Sequence, residues 1–345
     1  MIDWNLARQT GALLSNSGPA ASGWEIDSIV AELRKDATDA EGYVREFTGL
    51  TAASGDAPVL VVDRPAWVSA NVESFSVVME PLTAKVIQNL SPGASQVGSK
   101  VAGVELGTVL AFLGSKVLGQ FDPFYAGPGE VKGRLLLVAP NIMAVERTLQ
   151  VNPSDFRLWV CLHEETHRVQ FSAVPWMRDF LLEKIGKLMD VGEMDTAALL
   201  ERLVDSLPRV IDAVRGKDES SLAEIFQTPE QAEIVDELTG LMSLLEGHAD
   251  VVMDGVGPTV ISSVQEIRQK FNQRRKSSNG VDKVLRRLLG LDKKMAQYSD
   301  GARFVRHVTD AVGNDGFNAV WAEPANLPSK LEIHDPQSWL KRVHG

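Results

Sequence analysis

The sequence predicts a mainly α-helical protein with a small β-sheet, an α+β fold. Three observations carry this prediction. Apolar residues recur at three- and four-residue steps through most of the chain. Only two segments, Val59 to Asp63 and Arg134 to Ala139, are short apolar runs of strand length. Helix-start residues also precede the longest periodic stretches.

Taken in order, residues 2–50 read as two or three helices, interrupted at Gly18-Pro19 and Ser22-Gly23. The small residues from Thr51 to Pro58 form a turn region before the first strand. Helical spacing returns from Ser69 to Leu90. The apolar stretch Val101 to Leu118 contains Glu105, Lys116 and several glycines. Two charges in so short a stretch fit a core helix with close-packing glycines better than a membrane span. Asp122 to Gly133, interrupted by proline and glycine, reads as a loop, and Pro140 closes the second strand. Asn152 then caps a helix. Pro153 suits its first position, Asp155 puts negative charge in its first turn, and Phe156, Trp159, Val160, Leu162 and Val169 give it an apolar side. Trp176 to Asp254 is helical with short breaks, Thr228 capping the segment that starts at Pro229. Thr259 to Val312 is helical again. The last thirty residues, with Pro324, Pro328 and Pro336, are expected to wrap the surface in extended segments. No internal repeat is present.

The helix capped by Asn152 carries His163-Glu164-Glu165-Thr166-His167, an H-E-x-x-H run. On a helix, residues four apart share a face, so the two imidazoles can grip one ion while Glu164 stands beside it. That pattern is how proteins hold zinc and keep a general base next to the water it activates. Glu165 is turned about 100° from Glu164. Cys161, two residues before His163, is turned about 200° from the histidines and reads as a small buried hydrophobe.

Two ligands do not make a site, and the third can come from Glu246, His248, Asp250, His307 or His334. Within Glu246-Gly247-His248-Ala249-Asp250, Glu246 and Asp250 share a helix face, while His248 points roughly 200° from Glu246. A glutamate ligand followed one turn later by an aspartate has a physical logic. The glutamate takes the metal, and the aspartate accepts the spare ring N–H of a ligand histidine and fixes its tautomer.

His163, Glu164 and His167 with Glu246 and Asp250 resemble the gluzincin arrangement, although 78 residues separate His167 from Glu246, far more than in familiar gluzincins. The H-E-E-T-H-R-V-Q-F and E-G-H-A-D runs, the long insert between them and the tail containing Trp321-Ala322-Glu323-Pro324 resemble the zincin-like metallopeptidase type 2 family across most of the chain. The resemblance implies a zincin-like active-site helix packed beside a minor sheet. It also implies a Zn2+ cofactor, metal ligands His163, His167 and Glu246, Glu164 as catalytic base and Asp250 behind a ligand. Zincins add an oxyanion donor, for which Tyr298, His307 and Arg168 are candidates. They also align extended substrates on a strand edge, for which residues 134–139 are the candidate.

The resulting expectation is a zinc hydrolase acting on a peptide or small amide, a metallopeptidase. The alternatives are a zinc hydrolase of small metabolites and a non-catalytic binding module on the same fold. Residues 1–171 would form an N-terminal lobe with the sheet and the H-E-x-x-H helix. Residues 172–345 would form a helical lobe carrying the third ligand, the two making one catalytic unit.

Composition sets further bounds. Hydrophobic residues make up 44% and charged residues 23% of the chain, as in ordinary globular proteins. The single cysteine excludes an internal disulfide scaffold and fits a reducing compartment. With no charged start leading into an apolar run, the expectation is a cytoplasmic protein. A net charge of −11 argues against general nucleic-acid affinity. Twelve basic residues against four acidic ones between Val264 and Arg306 are read as solvated helix faces.

Overall fold

The computed structural model describes residues 2–51, 57–80, 94–128, 132–189, 229–277 and 297–345. Helices dominate them, with one three-stranded sheet. Helix α1 (Trp4–Leu14) starts where the Asp3 carboxylate accepts from the Leu6 N–H at 2.9 Å. Helix α2 (Gly23–Thr48) starts at a reciprocal Ser22–Glu25 capping box and ends at Gly49 in the left-handed region. Strand β1 (Val59–Val62) leads into α3 (Arg64–Val78), capped by Asp63. That helix begins earlier than the sequence suggests because Asp63 and Pro65 form a helix start. The rest of the expected helix, 81–90, lies outside the described residues.

Helix α4 (Ala94–Gly114) contains the long apolar stretch. By length and composition its segment Val97–Gly114 could cross a membrane, but it packs against α1 and α3. Strands β2 (Gly119–Ala126) and β3 (Lys132–Val138) follow. The order is β1-β3-β2, with β1 parallel and β2 antiparallel to β3. Leu135, Leu136, Leu137 and Val138 are all buried. Alternate side chains enter opposite faces. Leu136 and Val138 meet Trp67, Val68 and Leu110, and Leu137 enters the larger core.

This topology corrects two expectations. The strand at 134–139 is the centre of the sheet and has no free edge. The segment read as a loop from Asp122 is instead strand from Gly119 to Ala126, fixed by the buried pair of Arg134 Nε and Asp122 Oδ2 at 3.0 Å. Pro123 is tolerated because β2 is an edge strand of the described sheet.

Helix α5 (Ala139–Leu149) follows, and then α6 (Pro153–Ala173), with Asn152 accepting from the Asp155 N–H at 3.1 Å, packs against β2 and β3. Helix α7 (Met177–Met189) and the long α8 (Pro229–Val260) follow; residues 190–228 are not among those described. Helices α9 (Val264–Ser277) and α10 (Gln297–Phe317) precede two 3-10 turns and the short α11 (Lys330–His334) and α12 (Pro336–His344). The tail is therefore helical rather than extended. Pro324 and Pro336 stand in the first turns of their helices, where a missing N–H costs nothing. Trp339 is fully buried and donates to the Asn326 carbonyl at 2.8 Å, seating this tail in the core. The larger core takes residues from α2, α5, α6, α8 and α10 alike.

Candidate active site

Helix α6 is held from several sides. Arg157 pairs with Glu146 and Glu32, the Asp155 carboxylate accepts from Ser262 and Ser263, and the Cys161 thiol faces the Leu33 carbonyl. The cysteine thus lies on the α2 side, as its 200° offset predicts. On the other side, His163 and His167 stand with rings perpendicular and Nε2 atoms 3.3 Å apart.

The third group comes from α8. Glu246 Oε2 lies 3.8 Å from His163 Nε2, and Oε1 lies 3.7 Å from His167 Nε2. Among the described residues, these three form the one group of histidines, cysteines and carboxylates that could hold a metal ion, all half-buried. Helix α8 lies very close to α10 here. A Cβ on Gly247 would sit 2.2 Å from the Gly301 carbonyl carbon, so the residue after Glu246 must lack a side chain.

The donor set fits zinc. Four ligands at about 2.0–2.2 Å from an ion lie roughly 3.3–3.6 Å apart in a tetrahedron. Here the two imidazole nitrogens are 3.3 Å apart, each faces a different Glu246 oxygen at 3.7 or 3.8 Å, and one donor atom from each residue lies within 4.8 Å of the others. Two imidazoles and one carboxylate are a catalytic zinc combination that leaves a position for water.

Glu164 is buried beside this group. Burial pushes its carboxyl up to about 8, helped by the negative charges of Glu246 and Glu165. Gly119, the first residue of β2, makes room for it: a Cβ there would lie 2.5 Å from Glu164 Cγ. Glu165 faces elsewhere, fully buried, its Oε2 accepting from Arg168 Nε at 2.6 Å.

The other sequence-derived candidates fall as follows. Arg168 is removed from the cleft, since its guanidinium is taken by Glu165, Glu41 and the Ala57 carbonyl. His334 pairs with Asp300 at 3.0 Å. His307 is exposed on α10, and the side chain of Tyr298 is outside the described set. Asp250 lies one turn beyond Glu246, half-buried, its backbone carbonyl accepting from Arg268 at 3.3 Å. His248 points into the core, where it packs on Phe317 and Trp321.

One residue escaped the sequence reading. Gln170 is fully buried, and its Oε1 lies 3.0 Å from His167 Nδ1. Its Nε2 meets both the Leu245 carbonyl, at 3.1 Å, and His248 Nδ1, at 2.9 Å. Its position three residues after His167, on the same helix face, was the available signal.

A helix bearing H-E-x-x-H, completed by a glutamate from a second helix, defines the zincin class of metal site. The chain belongs to the zincin-like metallopeptidase family, whose model matches residues 2–340. It is also similar to a crystal structure from Chloroflexus aurantiacus described as "a putative hydrolase with a novel fold". The two share 30% identity over 99% of this chain and 98% of that one, with a TM-score of 0.71. Among curated proteins there is no match. Family and neighbour together support a hydrolase with a zinc cofactor.

Proposed function

We propose that the protein is a zinc-dependent metallopeptidase acting on a peptide or small amide, with His163, His167 and Glu246 as ligands and Glu164 as general base. The convergence of the three donors beside buried Glu164 carries this reading. Bound there, zinc would polarise the scissile carbonyl and acidify the attacking water. Glu164 would accept that water's proton on a carboxylate oxygen and pass it to the leaving nitrogen. Its raised pKa suits proton delivery, and the positive charge of a bound zinc would favour the carboxylate form needed for proton uptake. Asp250, one turn beyond Glu246, would accept a ring N–H of a ligand histidine. An extended substrate would pair with strand β2, one of the two edges of the described sheet, whose first residue lies against Glu164. The buried lone cysteine fits the cytoplasm.

The test is metal analysis with a peptide-hydrolysis assay. Wild type should carry one zinc per chain. Glu246→Ala should lose it, and Glu164→Gln should keep it while losing hydrolysis by several orders of magnitude. A Glu246→Ala protein with full zinc, or a fully active Glu164→Gln protein, overturns the assignment.

A further inference from the structure

The hydrogen bonds around Gln170 can be assigned without ambiguity. The Leu245 carbonyl can only accept, so the amide atom facing it at 3.1 Å is the nitrogen. The other amide atom is then the oxygen, which can only accept, so the hydrogen in the 3.0 Å contact belongs to His167 Nδ1. A neutral imidazole carries one proton, which leaves a lone pair on His167 Nε2, the atom that faces Glu246 and His163. The second amide N–H points at His248 Nδ1, at 2.9 Å, so that nitrogen must accept and the His248 proton sits on Nε2.

We infer that Gln170 is the positioning residue of the site: fixed by Leu245 and His248, it locks His167 in the tautomer that offers Nε2 to the metal. The inference rests on the zinc reading above. It gives His248, two residues after Glu246, a purpose. Glu246 reaches the metal from one side of α8, while Leu245 and His248 on the same turn grip the side chain that orients a ligand on α6. One amide thereby couples the two helices that supply the donors. Because the partner is a neutral amide rather than a carboxylate, the tautomer is fixed without adding negative charge beside the ligand. Gln170 and His248 are fully and almost fully buried, so water does not compete for these bonds.

The test uses the full chain. Imidazole 15N NMR of metal-free wild type at pH about 9, where ordinary imidazoles are neutral, should show His167 protonated on Nδ1 and His248 on Nε2. A His167 proton on Nε2 overturns the proposal, and this measurement requires no variant to fold. Zinc affinity is then read by competition with a chelator. Gln170→Leu should bind about 10–100-fold more weakly, the usual cost of losing such a partner. Gln170→Glu keeps an acceptor for His167 but loses both N–H bonds to Leu245 and His248, so it should bind zinc more weakly than wild type and more tightly than Gln170→Leu. A folded Gln170→Leu protein with wild-type affinity, or equal losses in the two variants, sinks it. Wild type that binds no zinc would instead remove the metallopeptidase reading, with the tautomers still deciding whether Gln170 orients His167.

Discussion

Glu164 and Glu165 are neighbours in sequence with different surroundings. Glu164 is buried against Gly119 next to the donor group, whereas Glu165 is sealed behind α6 with Arg168. Burial pushes the Glu165 carboxyl up to about 7 against the pull of Arg168. Glu165→Gln should therefore leave the chemistry of folded molecules within a few-fold of wild type. Because the ionised form is disfavoured in the fold, any stability cost of that change, about 1–3 kcal/mol for weakening a buried hydrogen bond, should be largest at about pH 4 and shrink as pH rises past about 7. Urea denaturation alongside kcat checks this, and a large kcat loss at unchanged stability would contradict it. The sequence showed which glutamate faces the histidines, because that follows from helix geometry alone. It did not show that Glu165 is buried, since burial depends on Glu41 and Ala57 far away in the chain. Gln170 was legible in principle, three residues after His167, but its partners on α8 were not.

Among the elements, helices with local start signals were readable, and α6 begins at the residue its Asn-Pro-Ser-Asp run indicates. Strand β2 was not readable, because its pairing is set by the non-local Asp122–Arg134 contact and interrupted by a register shift before Ala126. This strand meets the site through a single missing methyl. Gly119→Ala should displace the Glu164 carboxyl and lower kcat at least about tenfold, as misplacement of a catalytic group does. Zinc content should stay at wild-type level, and an unchanged kcat would show that β2 does not set the position of Glu164. Helix α2 carries a different liability. Burial, then the charge of Glu32, raises the carboxyl of Asp36 from 3.8 to about 6, and its Oδ2 has no hydrogen-bond partner among the described residues. A folded-state pKa above the unfolded one means the native protein binds more protons between those values. Stability therefore falls as pH rises from about 4 to about 6, and the full cost persists above. Asp36→Asn should stabilise by about 1–3 kcal/mol at pH 8 and by little at pH 4. Thermal melts at the two pH values decide it, and equal shifts would contradict the linkage.

At the scale of the whole molecule, the sequence conveyed the class of fold and the family, and it named the three donors that the structure brings together, but not how they are assembled. The tail illustrates why. Its prolines suggested extended chain, yet Pro324 and Pro336 start helices, and Trp339 finds its place only once the core exists. Helix α6 shows the same dependence in reverse, since nearly every turn of it is tied to a distant segment. Asp155 reaches Ser262 and Ser263, Arg157 reaches Glu146 and Glu32, Cys161 faces Leu33, Arg168 holds Glu41 and Ala57, and Gln170 grips Leu245. Such a helix has no small opening motion available to it, because exposing any of its turns breaks contacts with other segments. Its amide protons should therefore exchange with deuterated solvent only when the entire molecule unfolds. Those of α12, a short terminal helix, should exchange far sooner. On the proposed reading, the machinery for cutting other chains would then sit on the stretch of backbone that is itself last to be laid open to a protease.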